Sequence, residues 1–190
     1  MPQFDLRGIK VANYVNTAGT VTYTGATSAG DAMNVNLELR FAEGRLYSES
    51  TLAEYMRKCV GGTISIGVKY IPDAVQTMLF GVTAKSRTVG SKTISSLVTS
   101  AKDIPNYVGV AFYAPDMIDG VKKYTAVKVA RALFGNPSMK LQTAGENITI
   151  NTPTTSGEFL ADDSAGQDMI EVAVCDTEED AIAWVTAVLS

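Results

Sequence analysis

The feature that most constrains this chain is strict alternation. In Val35-Asn36-Leu37-Glu38-Leu39-Arg40-Phe41 every odd position is apolar and every even one polar, the pattern of a strand with one buried and one wet face. Ile64, Ile66, Val68 and Tyr70 repeat it against Thr63, Ser65, Gly67 and Lys69. Val108, Val110 and Phe112 do so again, then Ile148 and Ile150, then Ile170, Val172 and Val174. Glu43-Gly44, Gly61-Gly62, Pro105-Asn106, Asp119-Gly120, Ser156-Gly157 and Ala165-Gly166 read as turn signals between these runs. Asp119-Gly120 predicts a two-residue hairpin, because a type I′ turn needs positive φ at both central positions.

Two segments carry helical spacing instead. Pro72 suits a first helical position, Val75, Met78 and Leu79 follow on one side, and Gly81 closes the end. The second helix is expected from Asp176 to about Leu189. Asp176 or Thr177 caps it, acids fill its first turn, and Ile182, Val185 and Leu189 form a stripe that Ala181, Trp184 and Val188 widen. Such a helix must pack on its own sheet or on another subunit. The expected fold is mainly β: an antiparallel β-sandwich or barrel with one short mid-chain helix and a C-terminal helix, in a single domain over residues 1–190. Residues 18–31 and 83–101, rich in Gly, Ser, Thr and Ala, are expected as long loops or protruding hairpins.

Composition narrows the chemistry. Histidine is absent from the 190 residues, which removes Ser-His and Cys-His catalysis and every histidine-ligated metal. Sixteen Lys and Arg against 20 Asp and Glu give a net charge of −4, a poor match to the basic footprint that grips DNA. Charged residues make up 19%, low enough to suit a surface partly covered by neighbouring chains. Cys59 and Cys175 are too few for a disulfide framework and read as two buried thiols. No run reaches the ~18 apolar residues of a membrane span. The start, Met1-Pro2-Gln3-Phe4-Asp5, lacks a signal peptide's apolar segment. Both predict a soluble protein that stays where it is made unless assembly carries it out.

The candidate chemical motifs are weak. Asp162-Asp163-Ser164-Ala165-Gly166-Gln167-Asp168 resembles a calcium loop in composition but lacks its alternating ligand spacing and closing Glu, so a solvated hairpin tip is the better reading. Asp116 and Asp119 flank a turn, and turn formation accounts for both. Tyr107 and Tyr113 share one strand face without basic residues between them, which fits a partly covered second face better than a base-stacking platform. No phosphate-binding or dinucleotide glycine motif and no nucleophile elbow is present. Asn147-Ile148-Thr149 is a formal sequon inside an expected strand. No catalytic residue, metal ligand or cofactor is expected.

A series of motifs then falls in order. Leu46-Tyr47 is followed by Leu52-Ala53-Glu54-Tyr55, Gly61 to Val68, Tyr107-Val108-Gly109-Val110-Ala111-Phe112-Tyr113 and Gly120-Val121-Lys122-Lys123-Tyr124. Phe134, Pro137-Ser138, the run Thr143 to Thr154, and Thr177-Glu178 with Ala181-Ile182-Ala183-Trp184 complete it. From about residue 46 to residue 185 this order resembles the major tail proteins, the tube subunits of long non-contractile phage tails. The first 35 residues and 83–101 match poorly.

The resemblance implies a sandwich or barrel core related to type VI secretion tube proteins. It implies hexameric rings stacked into a hollow tube through which DNA passes into the host. It also implies a place in the virion tail after assembly in the bacterial host cytoplasm, with tail-tip, tape-measure and tail-terminator proteins as partners besides the chain itself. On this reading Asn36, Glu38 and Arg40 are expected to face the lumen, and Phe4, Tyr23 and Met33 to make inter-ring contacts. An N-terminal arm over residues 1–10 and the 18–31 loop are expected to order against the next ring. The rival from another class is a monomeric β-rich carbohydrate- or host-surface-binding module, which needs exposed aromatic residues beside polar ones in a cleft.

Overall fold

The computed structural model describes residues 5–48, 51–137 and 152–190. Its elements are β1 (Arg7–Thr17), β2 (Thr20–Ser28), β3 (Ala32–Ser48), β4 (Thr51–Val68), α1 (Asp73–Phe80), β5 (Thr83–Val89), β6 (Lys92–Val98), β7 (Tyr107–Ile118), β8 (Val121–Phe134), β9 (Thr154–Leu160), β10 (Ile170–Cys175) and α2 (Glu178–Ala187). One antiparallel sheet runs β2-β1-β7-β8-β9-β4-β3, with β10 pairing β8, while β5 and β6 make a separate two-stranded sheet. The expected strand at Ile148 and Ile150 and the sequon at Asn147 lie outside the described residues.

Alternation builds the core. Ile9 and Val11 of β1, Val108, Val110 and Phe112 of β7, Val129 and Phe134 of β8, Phe159 of β9, and Ile64, Ile66 and Val68 of β4 converge in one cluster. Strands from both halves of the sheet thus bury the same residues, so the sheet folds over on itself as a β-sandwich. Val75, Leu79 and Phe80 of α1 join this core. Pro72 stands one residue before α1, and Gly81 ends it at φ 68°, its N–H donating to the Thr77 carbonyl at 3.1 Å.

The other face of β1, β7 and β8 carries a second core. Ala12, Tyr23, Ala111, Tyr113, Tyr124 and Ala126 pack against Ala181, Val185 and Leu189. Thr177 caps α2, its Oγ1 accepting from the Asp180 N–H at 3.1 Å. The buried stripe is therefore Ala181–Val185–Leu189, spaced by four, and Ile182 faces outward at 45% exposure. The small Ala181 and Ala111 suit close helix-on-sheet contact, which is why the stripe is one residue earlier than the larger side chains suggest.

Three other expectations change. Residues 20–28 are not a loop: Thr20-Val21-Thr22-Tyr23 pair with β1 around an Ala18-Gly19 turn, both at positive φ, because β-branched threonines fit a pleated surface. Residues 83–98, by contrast, form the β5–β6 hairpin, one of the two forms expected for that segment. The N-terminal arm cannot extend to residue 10, since Arg7 to Lys10 belong to β1 and Ile9 is fully buried. Glu43-Gly44, Gly61-Gly62 and Ser156-Gly157 are not turns but lie within β3, β4 and β9. Gly62 is required by proximity, as a Cβ there would strike the Glu38 carbonyl and the Phe159 ring, and Gly61 sits at φ 129° where the register shifts. Asp119 and Gly120 both take positive φ, as their hairpin predicts.

Phe159 is fully buried between the sheet halves. Replacing it by Ala should cost about 3–5 kcal/mol through lost burial and the cavity left behind. Thermal or urea unfolding measures this directly, and a loss under about 1 kcal/mol would contradict the shared core.

Candidate assembly surfaces

The predicted lumen residues do share a surface. On β3 Asn36 and Glu38 stand opposite Ser65 and Thr63 of β4, which in turn stand opposite Ser156 and Glu158 of β9. Because paired residues point to the same side, three strands present one hydroxyl- and charge-bearing face, opposite Ile64, Ile66 and Phe159. Asn36, Glu38, Arg40, Thr63, Ser156 and Glu158 are all exposed. The Asn36 amide donates to Glu38 Oε1 at 3.1 Å, Arg40 Nη1 to Glu158 Oε1 at 3.3 Å, and Ser156 Oγ to Ser65 Oγ at 3.2 Å. Ser156 and Glu158 escaped sequence reasoning because Ser156-Gly157 reads as a turn; the alternation Thr154, Ser156, Glu158 against Thr155 and Phe159 was the available signal.

Beyond this face β3 and β4 continue as an arm. Pairing of β4 with β9 ends at Gly62, and residues 51–61 pair with β3 alone. Leu39, Phe41, Leu46, Tyr47, Tyr55, Met56 and Val60 are exposed along it, Met56 at 71%. The expected buried face of β3 therefore holds only for Val35 and Leu37, which are half-buried; Leu39 and Phe41 have left the sandwich. On one arm face the Arg57 guanidinium lies 3.8 Å over the Phe41 ring, Arg45 lies 5.7 Å over Tyr55, and Glu43 bridges Arg45 and Arg57 at 3.4 and 3.6 Å. A hydrogen bond to Glu43, followed by burial, raises the Tyr55 hydroxyl pKa. Gly44, Leu46, Glu54 and Met56 share the other face, which continues the even-numbered side of β3.

The inter-ring candidates are scattered. Met33 is 52% exposed at the start of β3, beside a shallow groove lined by Asp5, Leu6, Val35 and Phe112. Tyr23 is instead buried in the subunit, its hydroxyl donating to the Ala130 carbonyl at 2.9 Å, and burial pushes its pKa well up. It is therefore not the exposed loop residue expected: its strand is the edge of a covered sheet. Phe4 lies outside the described residues.

The remaining motifs are structural. Asp162 Oδ1 accepts from the Ser164 N–H, the Ser164 hydroxyl and the Asp168 N–H at 3.1, 2.6 and 3.0 Å, so the calcium-like loop closes on itself. Asp163 takes Tyr14, Asn16 and Arg131 at 3.0, 3.0 and 2.8 Å, tying that loop to β1 and β8. The Tyr14 hydrogen bond, then those of Asn16 and Arg131, hold its carboxyl below the usual range. Tyr113 is covered by α2 and donates to Glu178 at 3.1 Å, while Tyr107 lies under Arg131 at 4.1 Å. Asp116 is buried, receiving the Thr125 hydroxyl at 3.3 Å, so it is no surface partner for Asp119. Cys59 and Cys175 are free and half-buried.

No protein-family model and no curated protein matches this chain. Among the described residues no group of three or more His, Cys, Asp or Glu is placed to hold a metal ion. Among them, too, no helix is long and apolar enough to cross a membrane.

Two outcomes follow. Leu46→Ser with Met56→Ser should leave monomer stability within about 1 kcal/mol, since exposed sites tolerate substitution; a loss of several kcal/mol by urea unfolding would place the arm in the core. A depressed carboxyl contributes stability above its unfolded pKa and loses it as pH falls. Amide protection factors in residues 161–169 should therefore fall on acidification below the ordinary carboxylate range, and Asp163→Asn should reproduce this at neutral pH. Unchanged protection in that variant contradicts the anchoring role.

Proposed function

We propose that the protein is a structural, self-assembling tail-tube subunit whose copies form hexameric rings stacked into a hollow tube for passage of DNA. The observation that carries this reading is the β3–β4 arm, which presents Leu46 and Met56 on one face and Tyr47 and Tyr55 on the other to solvent, with no covering element among the described residues. Large exposed apolar side chains on both faces of a two-stranded arm support a surface meant for another chain. The edges of β2 and β3 are unpaired among the described residues, and open edges support strand addition between copies.

The polar face suits a bore. Glu38, Glu158 and Arg40 with Thr63, Ser65, Asn36 and Ser156 make a wetted surface with no cationic excess. Such a wall lets a polyanion slide, because tight phosphate binding needs many paired cations. The motif order resembling phage tail-tube subunits points the same way, with the virion tail as location and tail-tip, tape-measure and tail-terminator proteins as partners.

The rival carbohydrate- or host-surface-binding reading is less well supported. Phe41 and Tyr55 are exposed, yet Arg57 and Arg45 lie over their rings, occupying the faces on which a sugar stacks, and they stand on an arm instead of in a cleft.

Sedimentation velocity over a concentration series tests the reading. Wild-type protein should form rings or larger particles with rising concentration, and the Leu46→Ser/Met56→Ser variant should remain monomeric with an unchanged melting temperature. A variant that assembles like wild type contradicts the arm's role, and a wild-type chain monomeric at every concentration contradicts the proposal.

A further inference from the structure

The β5–β6 hairpin carries a second unsatisfied surface. Between Thr83 and Lys102 there are four basic residues and no acidic one, in a chain of net charge −4. Cross-strand register puts Lys85, Arg87 and Val89 on the same face as Lys92, Ile94 and Ser96. All are exposed, Val89 at 55% and Ile94 at 51%. None of the three cationic groups has a hydrogen-bond or ion-pair partner among the described residues. An isolated two-stranded hairpin is marginally stable in water, so this one gains from docking.

The opposite charge lies at the other end of the chain. From Ile170 to Ser190 there are five acidic residues and no basic one. Strand β10 pairs only with β8 among the described residues, leaving its outer edge open. Val172 and Val174 stand exposed on one side of that strand, at 58% and 54%. Glu171 lies on the other, with the acid-rich first turn of α2 following. Within the subunit Lys128, Lys123 and Arg7 pair with Glu171, Asp176 and Glu178. The acids of this surface without an ion-pair partner among the described residues are therefore Glu179 and Asp180 in the first turn of α2, opposite in sign to the hairpin.

We infer that the cationic face of the β5–β6 hairpin docks on the open β10 edge of a second copy of this chain. The hairpin and β10 are different surfaces, so the contact is head-to-tail, the type that closes into rings or propagates as a helix. The inference rests on the self-assembly reading and specifies one of its interfaces. The ion pairs steer encounter and choose the partner, while strand addition along the β10 edge, with the cationic face on the α2 side, holds it.

A charge swap between copies tests this. Lys85→Glu/Arg87→Glu/Lys92→Glu and, separately, Glu179→Lys/Asp180→Lys should each weaken association at least tenfold by sedimentation, with a cooperative thermal transition retained. An equimolar mixture should recover it, because each variant's hairpin then meets opposite charge on the other. A hairpin variant that associates like wild type, or a mixture that does not recover, overturns the inference and leaves the tail-tube reading standing. A wild-type chain that never associates overturns both. Wild-type binding to a short DNA duplex that the hairpin variant loses, with association unchanged, assigns the face to nucleic acid and overturns the inference as well.

Discussion

The structure depends on how one edge of β8 is shared. Along its other edge β8 pairs with β7 almost throughout, but on this edge residues 124–129 take β10 and residues 131–134 take β9. The β9 branch carries β4 and β3 back over Val110 and Phe134, closing the core. The β10 branch stops after one strand. A single division of hydrogen bonds therefore makes both a covered sandwich and an uncovered edge.

The same economy governs the faces. β7 is buried on both sides, by the opposing sheet half at Val110 and by α2 at Ala111. β3 and β4 are covered on one side only, so their even-numbered partners, Asn36 with Ser65 and Glu38 with Thr63, meet solvent. Past Gly62 even that cover ends, and apolar residues emerge on an arm. Burial within the subunit thus declines from β7 outward, and the surfaces left over are those the proposed assembly would use.

Much of this was legible in the chain. Alternation identifies β3, β4, β7 and β10 as strands, the Asp119-Gly120 turn forms as expected, and Gly81 and Thr177 mark helix limits. The expected buried face of β10 is overturned, since Val172 and Val174 meet solvent on a strand that no second sheet half covers. Asn36, Glu38 and Arg40 were grouped correctly because period two alone decides which side chains share a face. What was hidden came from tertiary context. Nothing local says that Leu39 and Phe41 lie beyond the cover of the second sheet half. Gly61-Gly62 reads as a turn until Phe159 is known to press against it. Tyr23 looks like a loop residue because its strand's threonines carry β propensity without hydrophobicity.

The central claim is that copies of this chain enclose a channel walled by the β9-β4-β3 face. A cryo-electron microscopy reconstruction of the assembled protein tests it most directly. The account predicts hollow particles with Asn36, Glu38 and Arg40 directed at the bore and the β3–β4 arm seated on a neighbour. Solid fibres, or a hollow particle with that face outward, would contradict it.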